Sequence, residues 1–510
     1  MQLGNYIGGA WCAPADGQYM PVTSPVDGIK LADVALSGPA DVDQAVKAAT
    51  EAFPSWSALT VKSRATIMYR FHALMSKHME ELSELVVREN GKNIAEARAS
   101  VAKGQETVEW ACSLPQLCQG KVLQVSRGIE CRDQRDPVGV VACVVPFNFP
   151  CMVPMWTIPI ALTLGNCVIV KPSEKVPCTL YRVAELLAEA GVPGGAFQLV
   201  NGAAPVVNAL CDHPGIGALS FVGSSHVAQL VAERCHSVNK RVLALGGAKN
   251  HLVALPDCHV ASAAQDIVAS FAGCAGQRCM AASVLICVGN VEGLVDEVVR
   301  LAALLKPGVA AGEVGAIIDA ASQAKILRYI NEAEASGVRV LLDGRPWSQR
   351  SPGTWVGPTV LAHASAADAA VCDEIFGPVI SVLQVATWDE ALAIENGSPF
   401  GNAASIYTTS GAHADHFSSR FRAGMIGVNV GVPVPREPFA FGGLAGTRSK
   451  FGEGDITGEG ALEFFTTRRK VTTRWPAVAA AAAAHAPAER KGNGAAAAAG
   501  GDAASFVGQM

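Results

Sequence analysis

Apolar residues follow helical spacing in the first part of the chain and form short buried runs further along. Residues 39–113 show the helical pattern, and the segment Ser63–Leu85 places its charged residues on one face, with Ser63 as the predicted N-cap. From residue 138 onwards, short runs rich in β-branched residues predict strands that alternate with amphipathic helices. This alternation predicts an α/β protein with parallel sheets covered on both faces.

The predicted elements fall into two series, which indicate two α/β domains. The first series contains strands at 138–146, 167–171, 197–201, 218–222 and 242–245, with helices at 177–190, 206–213 and 224–235. The second series contains helices at 261–274, 293–305 and 321–336, and strands at 283–288, 338–342, 359–361, 379–384, 404–407 and 426–429. A length of 510 residues also favours two large domains.

Two segments depart from this pattern. Residues 137–170 carry no charge, but the prolines at 146, 150, 154 and 159 would break a membrane-spanning helix, so we predict a strand, a turn, a buried helix and a second strand. Residues 476–510 are mostly Ala and Gly, a composition that cannot offset its ordering entropy by burial, and we predict a disordered tail. The N-terminus shows no signal peptide, so the protein is expected to be soluble.

Composition narrows the possible partners and the compartment. The net charge of −5 gives no reason to expect nucleic acid or an anionic membrane as a partner. The 15 cysteines include no C-x-x-C pair, which argues against a disulfide framework and favours a reducing, cytoplasmic setting. The 11 histidines show no ligand spacing, so no metal is predicted.

Candidate chemistry centres on Cys279, which lies in a run of small and polar residues inside an apolar stretch. A thiol there is either a buried packing residue or a nucleophile; Arg278 next to it would favour the thiolate. Far upstream, Asn148 places an amide within Pro146–Pro150, an otherwise apolar segment. A nucleophilic sulfur and an amide donor are what acyl transfer at a carbonyl requires.

Three further segments could bind a dinucleotide, although no G-x-G-x-x-G fingerprint occurs. Lys171–Glu174 follows a buried strand, where a lysine and a carboxylate could bond ribose hydroxyls, or could simply be a solvated loop. Phe221–Ser224 joins a strand to a helix and is either an anion site for a pyrophosphate or an ordinary N-cap. Asp373–Pro378 is a third candidate, or a turn anchored by Phe376.

Taken together and in this order, these segments resemble the aldehyde dehydrogenase family over roughly residues 5–475. Within it the chain is most similar to the CoA-acylating branch, the methylmalonate-semialdehyde (malonate-semialdehyde) dehydrogenases. The resemblance rests on the segments 145–150, 171–174, 221–224, 247–251, 276–281, 374–379 and 427–433.

The resemblance implies a fold and a domain arrangement. It implies a Rossmann-like NAD-binding domain from residues 1–115 and 137–247, a catalytic α/β domain from 248–445, and oligomerisation strands within 116–136 and 456–475. Residues 462–467 read as an edge strand in need of a partner, so a homodimer or homotetramer is expected.

The resemblance also implies residue roles. Cys279 would attack the aldehyde and Asn148 would stabilise the oxyanion, while Arg278 and Lys103 would bind a substrate carboxylate. Lys103 stands where that branch carries an arginine. The lysine keeps the positive charge but lacks the planar guanidinium group that can bind a carboxylate with two hydrogen bonds. NAD is expected rather than NADP, because the carboxylate of Glu174 disfavours a 2′-phosphate. The cofactor-binding residues would be Val145, Phe147, Lys171, Glu174, Lys175, Ser224, Gly246, Glu374 and Phe376.

One expected residue is absent. Hydrolytic members of the family carry Glu-Leu-Gly-Gly-Lys, whose Glu activates the deacylating water, but residues 243–249 of this chain include no carboxylate. Without a positioned base, attack by water loses roughly 10²–10⁴ in rate. The sequence therefore predicts oxidation of a small carboxylated semialdehyde with acyl transfer to CoA. The alternative is a hydrolytic enzyme with another base, such as Glu463 or Glu459, and a catalytically silent protein of the same fold is a third possibility.

Overall fold

A computed structural model describes residues 1–476, which form 21 strands, 17 α-helices and two 3-10 helices. The elements of the first half are β1 (Gln2–Leu3), β2 (Asn5–Ile7), β3 (Ala10–Cys12), β4 (Tyr19–Thr23), β5 (Lys30–Ala35), α1 (Pro39–Ser57), α2 (Val61–Lys77), α3 (Met79–Asn90), α4 (Ile94–Cys112), α5 (Leu114–Leu117), β6 (Lys121–Ser126), β7 (Ile129–Pro137), β8 (Val140–Val144), α6 (Met152–Met155), α7 (Ile158–Thr163), β9 (Cys167–Lys171), α8 (Cys178–Ala190), β10 (Phe197–Leu199), α9 (Ala204–Asp212), β11 (Ala218–Val222), α10 (Ser225–Ser237) and β12 (Arg241–Leu245).

The second half continues with the elements that surround the predicted nucleophile. They are β13 (Asn250–Ala254), α11 (Val260–Ala272), a 3-10 helix (Gly273–Gly276), β14 (Ala282–Val288), α12 (Leu294–Ala303), α13 (Ala320–Ala335), β15 (Arg339–Leu342), a 3-10 helix (Arg345–Gln349), β16 (Thr359–His363), α14 (Ala369–Cys372), β17 (Val379–Val385), α15 (Trp388–Asn396), β18 (Ala403–Tyr407), α16 (Gly411–Ser418), β19 (Met425–Val428), β20 (Lys450–Gly452), α17 (Gly460–Phe464) and β21 (Thr466–Arg474).

The first large sheet has eight strands in the order β20-β12-β11-β8-β9-β10-β2-β3. Its centre, β12 to β10, is parallel, and the residues of β8 and β9 are buried throughout, as the apolar runs predict. Strands β9 and β11 have the predicted bounds. The charge-free stretch folds as the predicted strand, turn and second strand, with the two short helices α6 and α7 where one buried helix was predicted. Because the central strands are parallel and in register, their carboxyl ends meet at one edge of the sheet.

The second large sheet has seven strands in the order β15-β16-β17-β14-β13-β18-β19, and only β15 runs antiparallel to its neighbour. Strands β12 and β13 are neighbours in the chain but belong to different sheets, so residues 246–249 form the crossing between them. Elements β13, α15 and α16 were not predicted from the sequence, because short apolar runs with few turn residues do not show where an element begins and ends.

Two local predictions were wrong. The helix predicted from Ser63 begins at Val61 and its N-cap is Thr60, whose hydroxyl accepts a hydrogen bond from the backbone N–H of Ser63 at 3.1 Å. The predicted edge strand at 462–467 is helical up to Phe464, and the strand itself starts at Thr466. Leu462 and Phe464 are both buried in the core, and either a strand or a helix could bury them. This ambiguity explains the error.

The described residues form two compact units, one from residues 1–120 and 134–469, the other from 121–133 and from 470 onwards. A three-stranded sheet has the order β21-β7-β6, and its strand β6 leaves the side chains of Val122 and Leu123 65% exposed. None of the helices described is both long and apolar enough to cross a membrane. The predicted disordered tail, residues 476–510, lies outside the described residues except for Pro476.

Candidate active site

A cavity of about 1070 Å³ opens at the carboxyl edge of the first sheet and extends to Cys279. The strand ends that form it are Val144, Lys171 and Phe221, which pair in register across β9, β8 and β11. The loops that follow these strands supply the other walls. The cavity is lined by both predicted catalytic residues and every predicted cofactor residue, namely Val145, Phe147, Asn148, Lys171, Glu174, Lys175, Ser224, Gly246, Cys279, Glu374 and Phe376.

The loop after β9 carries a lysine and a carboxylate that face each other. Lys171 Nζ lies 3.0 Å from Glu174 Oε2, and the lysine is buried while the glutamate is partly exposed. Burial raises the pKa of Glu174, but Lys171, the backbone N–H of Glu174 and Lys175 together outweigh burial and hold that pKa below its usual range. Glu174 is therefore ionised, with a polar pair presented to the cavity. Lys175 pairs with Asp319 and stands 5.4 Å from the ring centroid of Phe147.

Ser224 lies at the N-terminus of α10, a helix of 13 residues. Its side chain makes no capping hydrogen bond and lines the cavity, at a helix end whose first-turn backbone N–H groups have no partner within the helix. The neighbouring Ser225 binds elsewhere: its hydroxyl donates to the carbonyl of Arg448 at 2.7 Å and accepts from the N–H of Gly247 at 2.9 Å. These two hydrogen bonds fix the turn at residues 246–247 next to the N-terminus of α10.

A strained backbone precedes the nucleophile. Cys274 and Ala275 adopt φ angles of 53° and 52°, and Gly276 follows at 68°. A Cβ on Gly276 would lie 2.0 Å from the carbonyl oxygen of Gly377, so only glycine fits this approach. The carbonyl of Cys279 is in turn held by the side-chain amide of Asn250 at 2.7 Å and that of Asn402 at 2.9 Å.

The sulfur of Cys279 lies in an environment that favours the neutral thiol. Burial, and after it the negative charge of Glu374, raises the pKa of Cys279 to about 12. Backbone N–H groups and Arg278 act in the opposite direction but do not compensate. Arg278 lowers the pKa of Cys279, in the direction expected from the sequence, but burial and the charge of Glu374 outweigh it and the neutral thiol predominates.

The side chain of Asn148 is buried and faces the cavity without a partner. Among the described residues, its Oδ1 accepts no hydrogen bond and its Nδ2 donates none. A buried amide that leaves its hydrogen-bonding capacity unused is costly, and such groups are common where a ligand supplies the partner. The Asn148 side chain is thus free to bind an atom that enters the cavity.

Glu374 reaches across to the turn between the two sheets. Its Oε1 accepts a hydrogen bond from the N–H of Ala248 at 2.9 Å, and a Cβ on Gly247 would lie 2.2 Å from Oε2. Burial raises the pKa of Glu374 above its usual range. Residues 243–249 contain no carboxylate of their own. The tertiary structure nevertheless places the carboxylate of Glu374, which is more than a hundred residues further along the chain, against residues 247–248.

The two cations predicted to bind a substrate carboxylate do not line the large cavity. Arg278 lines a much smaller polar cavity beside Cys279; its guanidinium donates to the carbonyl of Ser270 at 2.9 Å, while its buried Nε has no partner. Lys103 lies on α4, where its Nζ is 2.9 Å from Glu106 Oε2. Each cation is thus partly committed to groups of the protein itself.

Sequence reasoning missed the polar residues that hold the two catalytic segments in place. These are Asn250 and Asn402 at the carbonyl of Cys279, and Asn90 and Lys92 next to Asn148. The sequence offers one weak signal, the polar run from Asn90 to Asn93 directly after an apolar helical pattern. Its burial cannot be read from the sequence, because it depends on residues far away in the chain.

Comparisons with known proteins agree with this geometry. The model of the aldehyde dehydrogenase family matches residues 11–471, and the chain belongs to that family. Malonate-semialdehyde dehydrogenase 2 of Geobacillus kaustophilus (strain HTA426) is 41% identical over 479 residues, which cover 93% of this chain and 99% of that protein. Malonate-semialdehyde dehydrogenase of Halalkalibacterium halodurans is 39% identical, with coverages of 93% and 98%.

Solved structures show the same relationship. The methylmalonate-semialdehyde dehydrogenase of Oceanimonas doudoroffii superposes with a TM-score of 0.91 at 36% identity, covering 94% of this chain and 99% of that one. The NAD complex of a protein from Sinorhizobium meliloti 1021, provisionally named methylmalonate-semialdehyde dehydrogenase, gives a TM-score of 0.92 at 35% identity with the same coverages. The predicted aldehyde dehydrogenase fold is thereby confirmed.

Proposed function

We propose that this protein is an NAD-dependent, CoA-acylating dehydrogenase of malonate or methylmalonate semialdehyde. The observation that carries the proposal is that one cavity joins a partly buried thiol, an unpartnered amide and a helix N-terminus. The relatives named malonate-semialdehyde and methylmalonate-semialdehyde dehydrogenase match nearly the whole chain and support the substrate class.

The residues of the cavity fit NAD. The Lys171–Glu174 pair would hold the adenosine ribose, and the ionised carboxylate would repel a 2′-phosphate. The hydroxyl of Ser224 and the first turn of α10 would bind the pyrophosphate, while Gly246 allows its close approach. Glu374 would bond the nicotinamide ribose, between walls formed by Val145, Phe147 and Phe376 with Lys175 above them. When bound, NAD supplies the hydride acceptor.

The catalytic step is assigned to Cys279 and Asn148. The thiol releases its proton to solvent as the sulfur attacks the aldehyde carbon, and the carbonyl oxygen becomes an oxyanion. The amide of Asn148 and the backbone N–H of Cys279 would stabilise that charge, each donor contributing roughly 10²–10³ in rate. Collapse of the oxyanion with loss of hydride leaves a thioester on Cys279. Because burial and the charge of Glu374 raise the pKa of Cys279 to about 12, only a small fraction of the sulfur is thiolate at neutral pH, and the proton leaves during attack on the aldehyde.

Release of the acyl group is assigned to CoA. The thiol of CoA attacks the thioester carbonyl, the acyl group moves to CoA, and the Cys279 thiol is restored. Glu463, the base considered for a hydrolytic alternative, is bound by Arg135 and Arg468 and does not line the cavity; neither does Glu459. Among the described residues, the carboxylate whose charge acts on the sulfur is that of Glu374, and it accepts a hydrogen bond from the N–H of Ala248.

The substrate carboxylate is assigned to Arg278, with Lys103 as the second cation. The unpartnered Nε of Arg278 leaves donor capacity for a carboxylate, and guanidinium–carboxylate pairs are among the stronger hydrogen-bonded contacts. Lys103 would have to exchange Glu106 for the substrate.

The decisive test is NADH formation from malonate and methylmalonate semialdehyde with and without CoA. We expect one rapid turnover per Cys279 without CoA and sustained turnover with it. Sustained turnover without CoA would instead mean that water releases the acyl group. A Glu374→Gln variant that keeps the first turnover but loses the sustained phase would then assign the base to the carboxylate next to the sulfur. Cys279→Ser, which should give no burst in either condition, is the control.

We also propose that the protein is a cytoplasmic homo-oligomer. The exposed apolar side chains of β6, Val122, Leu123 and Val125, form a surface that a second copy would cover. Light scattering of the wild type and of a Leu123→Glu variant tests this: the variant should have the smaller mass. A monomeric wild type would contradict the proposal.

A further inference from the structure

The turn between α3 and α4 is buried and holds the segment that carries Asn148. Lys92 Nζ donates to the backbone carbonyl of Asn148 and to Asn90 Oδ1 at 3.1 Å, and it stands 4.3 Å from the ring centroid of Phe149. Asn90 Nδ2 donates to the carbonyl of Phe147 at 2.9 Å. The two successive carbonyls at 147 and 148 are therefore fixed by one ammonium and one amide.

The same turn is tied to the segment of the nucleophile. The carbonyl of Gly91 accepts from the N–H of Ala316 at 3.0 Å, and the carbonyl of Ala316 accepts from Gln277 Nε2 at 3.0 Å. In the first turn of α4, Glu96 Oε1 accepts from the N–H of Cys274 at 2.7 Å. One side of the turn thus contacts the amide segment and the other side contacts the backbone that leads to Cys279.

The turn is built for this close packing. Gly91 has a φ of 85°, and a Cβ there would lie 2.9 Å from Pro25 and 3.2 Å from the Cβ of Ala316. Asn90 and Lys92 are both buried, and neither lines the cavity, so neither contacts a bound substrate. A buried ammonium is costly unless its donors are used, and here they are used on the segment of Asn148.

We propose that Lys92 is a positioning residue for the oxyanion site: through the carbonyl of Asn148 it fixes the distance between the Asn148 amide and Cys279. This inference rests on the proposed function, because it assumes the role of Asn148. A catalytic group displaced by about 1 Å loses on the order of 10²-fold in rate. Asn90 supports the same position through its bonds to Phe147 and Lys92.

The test is the first-turnover rate of NADH formation from malonate semialdehyde without CoA at saturating NAD, in which acylation is isolated. Lys92→Met keeps the apolar stem and removes the ammonium, and we expect the rate constant to fall about 10- to 100-fold with an unchanged Kd for NAD. If Lys92 acts through Asn148, the Asn148→Ala/Lys92→Met double variant is no slower than Asn148→Ala alone. Lys92→Arg should restore part of the rate.

Lys240→Met is the matched control. Lys240 is also a buried lysine whose ammonium donates only to backbone carbonyls, those of Leu210, Cys211 and His213, and it does not line the cavity. The Lys240→Met variant should have a lower melting temperature than the wild type and keep the wild-type first-turnover rate. Should Lys92→Met not fold, Asn90→Ala removes the bond to Phe147 and is expected to act in the same direction.

Two results would overturn the inference. One is a wild-type first-turnover rate in Lys92→Met; the other is a loss in that variant that persists in full when Asn148 is already Ala. A wild-type enzyme that gives no first turnover would refute the proposed function itself, together with the role of Asn148 on which the inference depends.

Discussion

Replacing Asn148 by alanine should separate catalysis from stability. The side-chain amide of Asn148 makes no hydrogen bond within the described structure, and the one bond that holds this residue, from Lys92, goes to its backbone carbonyl. Asn148→Ala therefore breaks no native hydrogen bond. We expect the free energy of unfolding to change by less than about 1 kcal/mol, since no buried polar partner is left unsatisfied.

The effect on the reaction should be much larger. Loss of one donor to an oxyanion costs about 10²–10³ in rate, or about 2.7–4 kcal/mol of transition-state stabilisation. The first-turnover rate of NADH formation measures this loss, and denaturant unfolding measures the stability. The dissociation constant for NAD, measured by fluorescence titration, should stay at its wild-type value.

Two outcomes would refute this reasoning. A first-turnover rate close to wild type would mean that Asn148 is not an oxyanion donor. A large loss of unfolding free energy would mean that the amide has a structural role. Asn148→Asp, which has nearly the same shape but a negative charge at the oxyanion position, should be at least as slow as Asn148→Ala.

Three other variants test the surroundings of the site. Because the pKa of Cys279 lies near 12, alkylation by iodoacetamide in the absence of ligands should rise about tenfold per pH unit between pH 7 and 10, as the thiolate fraction does. Glu374→Gln removes a charge that raises this pKa, so alkylation at pH 8 should become faster; an unchanged rate would contradict the assignment. Glu174→Gln removes the carboxylate next to Lys171, and steady-state kinetics should show a higher KM for NAD and a smaller preference over NADP, whereas an unchanged ratio would refute the ribose assignment. Asn250→Ala leaves the N–H of Ala403 unsatisfied and the carbonyl of Ala281 with only the 3.5 Å hydrogen bond from the Ser283 hydroxyl. The loss should cost about 1–3 kcal/mol in denaturant unfolding, and a loss well below about 1 kcal/mol would show that water replaces the amide.

Local patterns in the sequence were sufficient for the elements that form the site. Residues 167–171 and 218–222 are strands with the predicted bounds, because a short run of β-branched and apolar residues bounded by turn residues is typical of a strand buried on both faces in a parallel sheet. The position of Lys171 directly after such a strand then predicts a site at the carboxyl edge of the sheet. The helix boundary at Thr60 and the helix at Gly460–Phe464 were mispredicted, because several neighbouring residues satisfy the same local pattern.

By itself the sequence determined which groups are present: a thiol at 279, an amide at 148, a lysine and carboxylate after β9, and no carboxylate within 243–249. Only the tertiary structure decided what these groups experience. It placed Cys279 where partial burial and the charge of Glu374 raise its pKa, brought Glu374 against residues 247–248, and placed the ammonium of Lys92 at the carbonyl of Asn148. These effects arise between residues tens to hundreds of positions apart, where burial and charge depend on how the sheets pack rather than on any repeat along the chain.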